Sequence, residues 1–123
     1  MNLRDVLVLI EGRLLSKEAD LNIEVSCGAA ADLMSDVLAS AKTNALLITG
    51  LTNPEVIRTA EMAEAAVVVF VRGKIPADGT IKLAEEKRMP LIVCKYTMFE
   101  TCGKLYEAGL PGCDPLLSSD GDW

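Results

Sequence analysis

A chain of 123 residues, half of them apolar, is sized for one compact domain, and with only two Phe, two Tyr and one Trp its interior has to be mostly aliphatic. Twelve basic against eighteen acidic residues leave a formal charge of −6, which opposes non-specific attraction to nucleic acid or to an anionic membrane. The lack of histidine excludes Ser-His and Cys-His nucleophile–base pairs within the chain, and any mixed cysteine–histidine metal site.

The N-terminal stretch MNLRDVLVLIEGR sets Arg4, Asp5 and Glu11 around a short apolar run, unlike a signal peptide or a membrane span, so a soluble cytoplasmic protein is expected. A first helix is predicted over residues 3–11, capped by Asn2, burying Leu3, Val6, Leu7 and Ile10, and stopping at Gly12. RLLS suggests a short strand and KEADLN, residues 17–22, a turn. IEVS at 23–26 alternates as a strand does, with Cys27 and Gly28 at its end. A short helix over residues 32–42 follows, with Leu33, Val37, Leu38 and Ala41 on one side.

From residue 45 the pattern repeats. ALLIT, AVVVFV and LIVCK, at 45–49, 66–71 and 91–95, are continuous apolar runs, each followed by a turn and a helix-period segment. Strands covered on both faces require such runs, so an α/β fold is expected, with a mostly parallel sheet covered by helices and right-handed crossovers. Asn53 caps the next helix with Pro54 in its first position, Asp78 caps the one after, Thr97 and Glu100 make a capping box, and Gly109 ends the last helix. The domain is expected to span residues 1–110. Residues 111–123 form a C-terminal tail, loosely held or docked through Leu116, Leu117 and Trp123.

The strand–turn–helix run LLITGLTNPEVIR has the order of a phosphate-binding loop but only one glycine and no lysine, so it is neither a Walker loop nor a dinucleotide fingerprint. In a parallel sheet, however, the turns after all three central strands lie at one edge, where open α/β sheets bind ligands. Those turns carry Thr49, Gly50, Thr52 and Asn53; Arg72, Gly73 and Lys74; and Lys95, Tyr96 and Thr97. Cations, hydroxyls and helix N-termini together suit a small anionic ligand. The plainer reading of the same residues is a helix start at Asn53 and Pro54, with Arg and Lys solvated.

Cys27, Cys94, Cys102 and Cys113 have no CxxC spacing; no disulfide is expected, Cys94 reads as a small core residue, and a four-cysteine metal or redox site is a minor alternative needing tertiary convergence. Glu85 and Glu86, and Asp120 and Asp122, read as solvated charges. No catalytic residue, cofactor or resident metal is expected.

The stretch DLNIEVSCGAAADLMSDVL at 20–38, with the strand, NPE helix and RGK turn that follow, resembles the DRTGG domain family over nearly the whole chain, through LYEAG at 105–109. The family's naming motif falls on Asn22, Ile23, Ser26, Cys27 and Gly28, where Gly28 keeps the named residue and Ser26 stands near Thr. The resemblance implies a fold similar to the N-terminal domain of bacterial phosphocarrier-protein kinases, a tendency to dimerise and no chemistry of its own. Family members occur as regulatory domains in phosphate acetyltransferases and CBS-containing pyrophosphatases, and standalone copies accompany iron-only hydrogenases. It also implies that Gly28, Asp32, Ser35 and Asp36 form a functional or dimer surface; read locally, Gly28 turns the chain, Asp32 caps a helix, and Ser35 and Asp36 favour its first turn. The expected function is a non-catalytic regulatory or sensor domain that binds a small anionic metabolite or nucleotide at Gly50, Thr52, Asn53, Arg72, Lys74, Lys95 and Thr97 and acts as a homodimer. The alternative is a structural or interaction accessory to a redox enzyme such as an iron-only hydrogenase, with no nucleic-acid or membrane partner in either case.

Overall fold

The structure, a computed structural model, describes residues 1–113. The three continuous apolar runs become strands β3 (Ala45–Thr49), β4 (Val67–Phe70) and β5 (Leu91–Val93), and every residue of them is buried. They are parallel, in the registers Leu46↔Val67 and Val68↔Leu91. Successive side chains point to opposite faces, which divides the core in two. Leu46, Ile48, Val67, Val69 and Ile92 join Leu3, Val6 and Ile10 beside helix α1 (Leu3–Leu9) and Leu105 of helix α5 (Met98–Glu107). Leu47, Val68, Phe70, Leu91 and Val93 pack instead against Val37 of α2 (Met34–Ser40), Val56 and Ile57 of α3 (Pro54–Met62) and Ala84 of α4 (Asp78–Glu86).

The five strands run in the order β1-β5-β4-β3-β2, with β1 (Arg13–Leu14) antiparallel to β5 and β2 (Cys27–Ala30) parallel to β3. Because β2 to β5 advance across the sheet in one direction, right-handed crossovers place α2, α3 and α4 side by side on one face. The chain then passes to the other face, where α5 lies with α1.

Several local expectations are corrected. The strand expected at 23–26 is displaced: it begins at Cys27, where the strand was expected to end, and Glu24 makes only an isolated bridge to Asn2. Pairing decides this, since residues 27–30 lie residue for residue against Ala45, Leu46, Leu47 and Ile48, whereas Val25 donates its amide to Met1 beside the start of α1. Helix α1 stops at Leu9 rather than residue 11, with Glu11 in the left-handed region at φ 49°; Leu7 on it is only half-buried. Helix α2 is shorter than expected and its cap is Leu33, without a side-chain bond, because Asp32 is drawn elsewhere; Leu33 and Leu38 are exposed, and of the expected apolar side only Val37 is fully buried. Ala77, not Asp78, caps α4.

Other expectations hold. Asn2 and Asp5 form a reciprocal capping box. Asn53 accepts from the Glu55 amide with Pro54 opening α3, and Gly109 follows α5 at φ +106°. Of the capping box expected at Thr97 and Glu100 only half forms: Thr97 accepts from the Glu100 amide, and the Glu100 carboxylate makes no return bond to the Thr97 amide. Cys94 is buried.

The expectation of no disulfide is overturned: Cys27 on β2 is bonded to Cys113, with Cα atoms 4.8 Å apart. Beside the bond, the Gly28 amide donates to the Pro111 carbonyl (2.8 Å) and the Cys113 amide to the Gly28 carbonyl (3.0 Å), so residues 111–113 run along the outer side of β2. Leu116, Leu117 and Trp123 lie outside the described residues. Among the described residues no helix is long and apolar enough to cross a membrane.

Candidate functional site

The carboxyl ends of the four parallel strands face one edge of the sheet. Across it, in strand order, come residues 95–97 after β5, 72–74 after β4, 49–53 after β3, and Asp32 after β2. Neighbouring strands lie about 4.8 Å apart, so the turns carrying Lys95, Arg72 and Gly50 start within about 10 Å of one another. β1 runs the other way, and Glu11, just before it, reaches the same edge, where it accepts a hydrogen bond from the Tyr96 hydroxyl. Lys104 lies over the Tyr96 ring, 4.6 Å from its centre. The Glu11 bond, with partial burial, pushes the Tyr96 hydroxyl above its ordinary pKa. The edge therefore has cations in the middle, with the carboxylates of Glu11 and Asp32 at its two ends.

Several polar groups of these turns are engaged within the protein. Asp32 Oδ1 accepts from the Thr49 hydroxyl (3.0 Å) and from the Gly50 amide (2.7 Å), and Thr49 Oγ1 in turn accepts from the Leu51 amide (3.2 Å). The Thr52 carbonyl accepts from Thr80 at the start of α4 (2.8 Å), while the side chains of Asn53 and Thr97 serve as caps. After β4, Arg72 and Gly73 both take positive φ, 62° and 67°, and their amides donate to the carbonyls of Tyr96 and Cys94, each at 2.8 Å. Holding a non-glycine residue left-handed costs roughly 1–2 kcal/mol, and here the pairing of the two turns fixes it. The side chains of Arg72, Lys74 and Lys95 remain: all three residues are exposed, and no ion pair among the described residues includes them.

Gly28, Asp32, Ser35 and Asp36 lie along β2, the turn after it and the first turn of α2. Gly28 is in β2, and Ser35 and Asp36 are exposed in the first turn of α2. Asp32 joins them to the turn after β3 through Gly50. Both sets of residues singled out in the sequence thus meet at one carboxylate.

A second feature lies beside this edge. A cleft of about 320 Å³ opens between residues 28–30 of β2 and α5. It exists because both walls lack bulk: residues 28–30 are Gly-Ala-Ala, and a Cβ placed on Gly103 of α5 would meet nothing within 4 Å. Phe99 and Tyr106, 83% and 73% exposed, stand at its rim seven residues apart on one side of α5. Cys102 lines it half-buried, and burial pushes that thiol up, towards its less nucleophilic protonated form. A larger cavity, about 540 Å³, lies at the other end of the molecule beside Lys17, Glu85, Arg88 and Pro90. Arg72, Lys74 and Lys95 line neither of these.

Sequence reasoning did not find the Asp32 link, the disulfide or the cleft. The spacing Phe99, Gly103, Tyr106, with a glycine one turn from each aromatic, is the one signal in the sequence that points to the cleft.

Residues 5–108 match the DRTGG domain family, and the chain belongs to it. Among solved structures it is similar to the CBS and DRTGG domains of the regulatory region of Clostridium perfringens pyrophosphatase, complexed with the activator diadenosine tetraphosphate. The TM-score is 0.72 at 15% identity, over 98% of this chain and 51% of that one, so the likeness establishes a shared fold. The chain spans about half the length of that regulatory region. It matches no curated protein.

Proposed function

We propose that this DRTGG domain is a non-catalytic regulatory module that binds a small anionic ligand of the nucleotide class and works as a cytoplasmic homodimer. The observation that carries the reading is that Arg72, Lys74 and Lys95 follow two adjacent parallel strands, at the carboxyl edge of an otherwise acidic protein. Family membership and the nucleotide activator of the similar regulatory region support the ligand class.

With the Gly50, Leu51, Arg72 and Gly73 amides bonded within the protein, attraction rests chiefly on the cationic side chains. Such contacts contribute about 0.2–1 kcal/mol each when exposed, and about 1.5–3 kcal/mol in a shielded site. Useful affinity thus requires a covered edge, which a second copy supplies. Exposed Leu33 and Leu38, beside Asp32, offer apolar surface for that contact. Binding without turnover fits a chain with no histidine to activate a nucleophile.

Calorimetry against nucleotides and acyl phosphates, with light scattering on the same samples, tests the reading. Binding by a dimer, weakened about tenfold by Arg72→Ala or Lys95→Ala (1.4 kcal/mol), is expected. Binding that neither substitution weakens moves the site to the surface around Gly28 and Asp32. A second reading, an accessory that docks on a redox enzyme such as an iron-only hydrogenase, is favoured by the exposed Phe99 and Tyr106 at the cleft rim.

A further inference from the structure

We propose that Cys27 and Cys113 form a redox-responsive clasp that holds one wall of the apolar cleft and is opened by a dithiol reductant.

Leu110, Pro111 and Gly112 line the cleft together with Phe99 and Tyr106 of α5. This segment is anchored differently at its two ends. On the α5 side the Leu110 amide donates to the Leu105 carbonyl (3.0 Å), and Leu110 is 5% exposed. On the β2 side it is held by the disulfide and by two backbone hydrogen bonds to Gly28. Two hydrogen bonds at a sheet edge compete directly with water, so the covalent bond is what makes the attachment firm. The fit is close as well: a Cβ on Gly28 would stand 3.2 Å from Leu110 Cδ2. With the bond broken, residues 111–113 are free to leave β2 while Leu110 stays on α5. The cleft then loses a wall and the outer edge of β2 loses its partner.

The exchange balances with a dithiol protein or small dithiol as the two-electron donor. Its thiolate attacks the Cys113 sulfur, the S–S bond breaks, and Cys27 leaves as a thiolate that takes up a proton. The reductant's second thiolate then attacks the mixed disulfide, Cys113 leaves and is protonated, and the reductant departs as a disulfide. Both cysteines are nearly buried, at 6% and 5%, so attack follows local opening of the sheet edge and not of the core. Cys94 and Cys102 take no part; they are the unpaired cysteines.

Thiol counting, peptide mapping and hydrogen exchange test the clasp on the full chain. Protein oxidised with glutathione disulfide should show a Cys27–Cys113 peptide crosslink, and dithiothreitol should open it without denaturant. Reduction should speed exchange at the Gly28 and Cys113 amides by roughly tenfold or more through local opening, seen as a rate that low urea does not change, whereas β3 and β4 exchange only with global unfolding. Cys113→Ser should show the fast exchange at Gly28 with or without oxidant. Failure to form the crosslink, a bond reducible only after global unfolding, or equal exchange in the two redox states would each overturn the proposal.

Discussion

On one face of the sheet α2, α3 and α4 lie side by side; on the other α1 and α5 cover the same strands, and the β2 end of that face is closed by residues 110–113. The first arrangement follows from topology, because each right-handed crossover between adjacent parallel strands delivers one helix to that side. The second has no such guarantee. Its helices come from before and after the parallel strands, and where they fall short an apolar cleft opens with aromatic side chains at its rim. The difference locates the apolar opening: the cleft lined by Phe99 and Tyr106 lies on the face finished by α1 and α5, while the larger cavity, beside Lys17, Glu85 and Arg88, lies at the far end of α4.

Replacing one large buried residue of each core tests this contrast hardest. Phe70, fully buried on the three-helix face, should cost about 3–5 kcal/mol as Phe70→Ala. Leu105, also buried but lining the cleft, should cost about 2–3 kcal/mol as Leu105→Ala, because its cavity merges with open space. Urea denaturation of both variants decides; equal costs would mean that the two faces are packed alike. Next in size is Asp32→Ala at the junction of the two faces, expected to cost about 1 kcal/mol after allowance for its exposure, with faster hydrogen exchange at Gly50. Gly103→Ala has the opposite sign. Its new methyl meets nothing within 4 Å, so relief of the glycine penalty inside α5 should raise stability by about 0.5–1 kcal/mol. A loss there would show that the cleft wall is tighter than the structure has it.

The smallest effect is one of pH. The Glu11 bond raises the Tyr96 pKa above the ordinary 10.0, so the protonated phenol is favoured by folding. That contribution is complete below pH 10 and fades as pH rises through the higher folded value. Tyr96→Phe should therefore flatten the alkaline limb of a stability–pH profile and leave the rest of it unchanged.

The parts of the fold legible in the sequence are those that local chemistry dictates. ALLIT, VVVF and LIV are apolar throughout because both sides are covered, and Asn53 with Pro54 marks a helix start wherever it occurs. β2 was obscured because CGAA carries no β-branched side chain; its strand character comes from pairing with β3, while the alternating IEVS beside it makes a single bridge. Asp32 has the position of a helix cap, and only the folded sheet shows that the Gly50 amide and Thr49 hydroxyl draw it away. The cationic turns were foreseeable once three parallel strands were expected. The cleft was not, since it depends on what two helices fail to cover. Nor was the pairing of Cys27 with Cys113, whose separation of 86 residues leaves no local trace.

That separation also changes the chain when it is not folded. The bond closes a ring running from β2 through α5, with α1 and β1 on an arm outside it. An unfolded oxidised molecule is a lariat, not an open string, and by chain-entropy reasoning the lost freedom of a ring this long is equivalent to about 4–5 kcal/mol. Two redox forms whose folded sheets are nearly identical would thus differ chiefly in how disordered they can become. Resistance to unfolding, and to a protease that waits for it, would itself report the thiol state of the surroundings.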